Sequence, residues 1–190
     1  MNALLERRQI RERVSPLSLE AYHQLGALGL LEEDVELLQG TLIRKMPKSP
    51  LHEFVVQVLA NLFYAAGLPG LQIRRDSPLT IGNSEPEPDL SIVQGKPSDW
   101  LVAHPSTALL VVEVAISSLD IDVQKAAIYA SAGIPECWIV RPKQREVDIY
   151  RNPQSGGYDS HFMVGENQVI ECASLPDLRV DVNGLFPAQA

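Results

Sequence analysis

Apolar and polar positions along the chain change period several times, and each change marks an element. Ser18 precedes SLEAYHQLGALGLL as a helix N-cap, and apolar residues run to the glycines at 26 and 29, which predicts a short helix and a turn. VELLQGTLIRK holds two short apolar runs around Gln39-Gly40, the pattern of a hairpin, with Glu36 inside its first strand. Prolines 47 and 50 break the chain before LHEFVVQVLANLFYAAG, where Leu51, Val55, Val58, Leu59 and Leu62 keep helical spacing until Gly67. Strands follow at LQIRR, DLSIVQ and LLVVEVA. The last is a near-continuous apolar run, as expected at a sheet centre buried on both faces. Ser117 or Ser118 then caps a helix to about Ala132, closed by Gly133 and Pro135. CWIVRP, EVDIYRN and weaker strands around turns at QSGG and GEN complete a meander.

This order predicts an α+β, mixed α/β fold with a sheet between helices. No repeat, linker or low-complexity segment interrupts it, so residues 15–190 read as a single domain behind an N-terminal extension at 1–14. The helix at 119–132 has one apolar stripe through Leu119, Val123 and Ala130 and another through Ile121 and Ile128. A helix apolar on two sides touches two layers, which predicts a homodimer.

Composition narrows the class. With 190 residues, 45% apolar and 21% charged, the chain has the make-up of an ordinary globular domain that needs no disulfide or metal to fold. MNALLERRQIRERV is charged too early for a secretory signal and no apolar run is long enough for a membrane span, so a cytoplasmic protein with no membrane partner is expected. Cys137 and Cys172 share no metal-ligand spacing and read as packing residues. A net charge of −8 argues against broad adhesion to nucleic acid but leaves room for a local basic groove. Basic residues do cluster, among them Arg44, Lys45 and Lys48, and Arg74 with Arg75.

Several acids sit badly in this pattern. Glu113 interrupts LLVVEVA, where a buried carboxylate needs a cation, unless it ends the strand facing water or pairs with an arginine. Asp89 follows Pro88 at the mouth of a strand, where it either caps a turn or holds a ligand. If these two strands are neighbours, both carboxylates can meet at one spot and offer hard oxygens to magnesium or manganese. Lys125 stands about two turns into the following helix, and helical side chains lean back toward the N-terminus, within reach of that spot. The alternative is an exposed Asp122–Lys125 pair on a stripe with Tyr129. His52 reads as a core-edge histidine, and alternation turns Glu36 toward solvent. Gly-rich phosphate loops, H-E-x-x-H and G-x-S-x-G are absent from the sequence.

The ordered set VELLQGTLIRK, a helix opening with His52, SEPEPDLSIV, VVEVAISS and DVQKAAIYASAGIPECWIV resembles the Uma-type restriction-endonuclease-like family of the PD-(D/E)XK nuclease superfamily. That resemblance runs from about residue 15 to Leu185-Phe186 and implies a restriction-endonuclease-like fold with an additional β meander. It makes Pro88-Asp89 the PD element and Glu113 the next acid, both metal ligands. The superfamily's usual lysine position falls on Ala115, so the lysine role moves to Lys125 on the helix. Glu36 and His52 match positions that complete the family's site, Glu36 as a further metal ligand. The implied function is Mg2+- or Mn2+-dependent endonuclease hydrolysis of phosphodiester bonds in DNA. The alternative is a noncatalytic nucleic-acid- or metal-binding regulatory module on the same fold.

Overall fold

A computed structural model describes residues 7–188, so residues 1–6 of the expected extension and 189–190 at the chain end lie outside the described residues. Within the extension, Arg8–Arg11 forms one helical turn, α1. Helix α2 (Leu19–Ala27) starts where Ser18 Oγ accepts from the Ala21 amide at 3.1 Å, as its sequence foretells.

Strands β1 (Val35–Leu38) and β2 (Thr41–Arg44) form the expected hairpin. Gln39 and Gly40 both have positive φ, 49° and 75°, the left-handed pair that a two-residue hairpin turn requires. The turn is pinned from outside: Gly40 N donates to Asn83 O and Leu17 N donates to Gly40 O, both at 2.9 Å. A Cβ at Gly40 would lie 2.4 Å from Pro16 Cβ, so glycine is required for space as well as for φ.

Helix α3 (Pro50–Ala65) begins one residue earlier than the proline signal suggests. Pro50 opens the helix instead of breaking it, because the first helical residue needs no N–H, and Ser49 supplies the cap. Its buried face, Val55, Val56, Leu59, Ala60 and Phe63, lies on a six-stranded sheet. The valines, Leu59 and Phe63 each contribute roughly 1.5–3 kcal/mol by leaving water, and Ala60 less.

That sheet runs β3 (Leu71–Arg75), β4 (Leu90–Gln94), β5 (Leu110–Val114), β6 (Glu136–Arg141), β7 (Glu146–Gln154) and β8 (Gly157–Gly165), in sequence order. All neighbours are antiparallel except β5 and β6, which are parallel and joined by α4 (Leu119–Ser131). Strand alternation sorts the two faces. Val112, Val114, Trp138 and Val140 face α3, and Phe63 meets Trp138 edge-on at 6.1 Å. Val111, Cys137 and Ile139 face α4. Glu113 falls between two α3-facing valines and is thereby aimed at α4.

Helix α4 ends as its glycine and proline foretell. Gly133 has φ 69°, its amide donates to Ala130 O at 2.9 Å, and the Ile134 amide reaches back to Tyr129 O at 3.2 Å. The two apolar stripes do not stay on two surfaces. Ile128 and Ala130 are buried, which leaves Leu119 and Val123 as the exposed apolar residues. A second two-stranded sheet, β9 (Val169–Glu171) with β10 (Arg179–Asp181), closes the α3 face of the core. Among the described residues no helix is long and apolar enough to cross a membrane.

Candidate functional site

The site lies where the ends of β4 and β5 meet hairpin β1–β2 and the first turns of α3 and α4. Pairing of Leu90 with Val112 brings Asp89, one residue before β4, alongside Glu113. Asp89 Oδ2 accepts from the Val114 amide at 2.8 Å, and Asp89 O accepts from the Asp76 amide at 3.2 Å. The aspartate is therefore neither a simple turn cap nor a strand residue; the backbone on both sides fixes it.

Lys125 reaches this spot from α4, as its lean toward the N-terminus predicts. Its Nζ lies 2.8 Å from Glu113 Oε1 and 3.2 Å from Glu36 Oε2, and donates to Glu87 O at 3.3 Å. Glu113 thus neither faces water nor pairs with an arginine; the cation it needs is a lysine. Tyr129, one turn further along α4, donates to Glu113 Oε1 at 2.5 Å.

Two expectations from pattern fail here. Glu36 does not face solvent but is 3% exposed, because the hairpin is covered on that side by the 83–87 segment, whose Glu87 amide donates to Glu36 Oε2 at 3.0 Å. Asp122 and Lys125 are not an exposed pair: both are buried, and Asp122 takes its hydrogen bond from Ser118 Oγ at 2.6 Å. Ser118 precedes α4 but makes no capping bond, its hydroxyl being used in this way.

His52 stands on the first turn of α3 with Nε2 3.1 Å from Asp89 Oδ1. Its Nδ1 is buried and has no hydrogen-bond partner. All five residues expected from the sequence thus line one cavity of about 650 Å³. They divide into two contact groups, Asp89 with His52, and Glu113 with Lys125 and Glu36. Sequence reasoning missed Tyr129, Asp122 and Lys48, whose Nζ lies 3.8 Å from Asp89 Oδ1. A signal existed for each: Tyr129 and Asp122 share the stripe of Lys125, and Lys48 belongs to the basic cluster just before α3.

Burial pushes Glu113 up to about 8 against the pull of Lys125. Burial alone would lower Lys125, but Glu113 and Glu36 more than reverse this and hold it cationic. One ammonium between two carboxylates leaves an excess negative charge, and a proton on Glu113 relieves it. Burial likewise pushes Asp122 up to about 6, partly offset by the Ser118 hydroxyl. Asp89 goes the other way. Burial works to raise it, yet the hydrogen bond and charge of His52, the Val114 amide and Lys125 bring it below the usual carboxylate range.

Among the described residues no three His, Cys, Asp or Glu side chains form a ready-made metal cage. The donor set still suits a hard cation that keeps most of its water, since magnesium is commonly held by only one or two carboxylates. Both contacts to Glu113 fall on Oε1, and both to Glu36 on Oε2, so the second oxygen of each is not engaged by them.

Comparison with known proteins agrees with this architecture. The Uma2 family, described as "Putative restriction endonuclease", matches residues 19–183. Among solved structures, one described as "a putative nuclease belonging to DUF820 from Anabaena variabilis" is 17% identical, with a TM-score of 0.72 over 90% of this chain and 97% of that one. Curated proteins give no match. At that identity the likeness speaks for the fold alone, and the fold is the restriction-endonuclease-like one expected, a mixed central sheet between helices with an added meander. The family match covers most of the sequence from α2 to the last strands, and on that ground the chain belongs to the Uma2 restriction-endonuclease-like family.

Proposed function

We propose that the protein is a Mg2+- or Mn2+-dependent endonuclease that hydrolyses phosphodiester bonds in DNA. The observation that carries this reading is the placement of Asp89 opposite Glu113 across β4 and β5 beside a buried lysine, with Lys125 Nζ 2.8 Å from Glu113 Oε1. Asp89 and Glu113 would hold the cation, with Glu36 as a further ligand. When bound, the cation polarises a phosphate oxygen and lowers the pKa of its water.

The chain's own residues supply the rest. Lys125 places a fixed positive charge, in a dry setting, next to where negative charge develops on the phosphoryl oxygens. Glu36 and the Glu87 carbonyl hold that ammonium in position. His52 fixes Asp89 through Nε2, and its Nδ1, which makes no hydrogen bond and lies 3.7 Å from Glu53 Oε1, would serve a phosphate oxygen or a proton in transit. More acids than bases line the cavity, so a bound cation would offset part of the repulsion that a phosphate backbone meets there.

The test is plasmid nicking by purified protein with magnesium or manganese over a salt series, beside Glu113→Ala and Lys125→Ala. Metal-dependent nicking lost in both variants supports the reading. Nicking that survives both belongs to a contaminant and sinks it. A homodimer through Leu119 and Val123 in the cytoplasm is part of the same proposal, and sedimentation as a monomer at high concentration removes the dimer.

One observation favours a second reading, a noncatalytic binding module: each acid assigned to the cation, Glu36, Glu113 and Asp89, already has a lysine beside it. Metal binding without cleavage of any nucleic-acid form would select it.

A further inference from the structure

Four cationic side chains line the cavity, and all four are already paired with carboxylates. Arg44 bonds Glu32 and lies 3.4 Å from Asp34, and Lys45 lies 2.9 Å from Glu87. Only Lys125 and Lys48 touch the residues assigned above to the cation. Lys125 is held by two carboxylates and a carbonyl and is 4% exposed, so its departure would strand buried acids.

Lys48 differs in each respect. It follows Pro47 in the connection between β2 and α3, its side chain is 39% exposed, and its ammonium lies between Asp76, which it bonds, and Asp89 Oδ1 at 3.8 Å. If it turns to water, Asp89 keeps His52 at 3.1 Å and the hydrogen bond from the Val114 amide. Asp76 has φ 48°, an uncommon conformation for a residue with a side chain, and its amide is tied to Asp89 O at 3.2 Å. Strained backbone at a site rim is retained where the surrounding structure enforces it, and what it does here is hold a second carboxylate against Lys48.

We infer that Lys48 is a resident counter-cation at Asp89: it occupies the carboxylate in the resting protein and competes directly with the divalent cation for it. Lys48 therefore sets the cation concentration at which the site loads. The inference rests on the metal-dependent reading given above.

The experiment is calorimetric titration of Mn2+ alone, without DNA, into the wild-type protein, Lys48→Met and Lys48→Arg. Removing a unit charge about 4 Å from a carboxylate that would hold a divalent cation is worth roughly a factor of ten in affinity in high dielectric with salt screening. Lys48→Met is expected to bind Mn2+ about tenfold more tightly, with Lys48→Arg close to wild type because it keeps the charge. Equal or weaker binding by Lys48→Met overturns the inference, as does a Lys48→Arg protein that tightens as much as Lys48→Met. Absence of Mn2+ binding in all three overturns it together with the metal-dependent reading. Tighter binding by Lys48→Met in a protein that nicks no DNA leaves the inference standing and removes only the nuclease.

Discussion

Tyr129 and Glu113, sixteen residues apart and on different elements, share a 2.5 Å hydrogen bond on the same oxygen that faces Lys125. A phenol and an ammonium together hold one buried carboxylate, so the position of Glu113 is set by α4 as much as by its own strand. Tyr129→Phe removes one of the two donors while keeping the ring's packing. Expected is a loss of about 1–2 kcal/mol in urea unfolding, with nicking reduced but still present.

Lys125→Met is expected to cost about 3–5 kcal/mol, because it leaves Glu36 and Glu113 without their cation. Adding Glu113→Gln to that variant should recover part of the loss, since one stranded charge disappears. A double-mutant cycle by chemical denaturation checks this. Additive losses would show that the pair carries no coupling.

Asp122 supplies a pH-dependent term. Its folded-state pKa, pushed by burial to about 6, lies above the ordinary 3.8, so the folded protein holds the proton more tightly than the unfolded chain. The contribution is complete below about pH 4 and is lost as pH rises through about 6. Asp122→Asn should therefore raise the thermal midpoint at pH 8 relative to wild type, by a stabilisation on the order of 3 kcal/mol, and give no such gain at pH 4. Thermal melts at the two pH values decide it.

Asp89 carries the opposite sign. Its depressed pKa contributes stability above the unfolded value that is lost as pH falls through the folded one. The hydrogen bond from His52 is one cause of the depression, so His52→Leu should move the Asp89 carboxyl titration upward. Carbon-13 NMR of the Asp89 side chain reads the shift directly, and an unmoved titration would assign the depression to the Val114 amide and Lys125 instead.

Much of the fold was legible because local signals agreed with one another. Ser18, Gln39-Gly40 and the Gly133 to Pro135 ending each name a conformation that tertiary contacts then support. The central site was legible for a different reason: Glu113 in an apolar strand is a contradiction that only a partner resolves. Glu36 was misjudged because alternation reports one neighbour layer, whereas a segment distant in sequence covers it; Asp122 was misjudged because helical spacing does not show that its side of the helix lines the cavity. Lys48 and Tyr129 carried only weak signals, a basic cluster and a shared helical stripe, that are ordinary on a protein surface. Their roles arise from where Asp89 and Glu113 end up.

The Gln39-Gly40 turn acts at a distance. Glu36 rides on a short arm whose far end is clamped by Leu17 and Asn83, neither of which lines the cavity. A cantilever anchored at its tip passes small displacements of the anchor to its load. The packing of Pro16 against Gly40 thereby becomes a tuning screw for the ammonium of Lys125, and sequence changes remote from the cavity can retune the site without touching any residue in it.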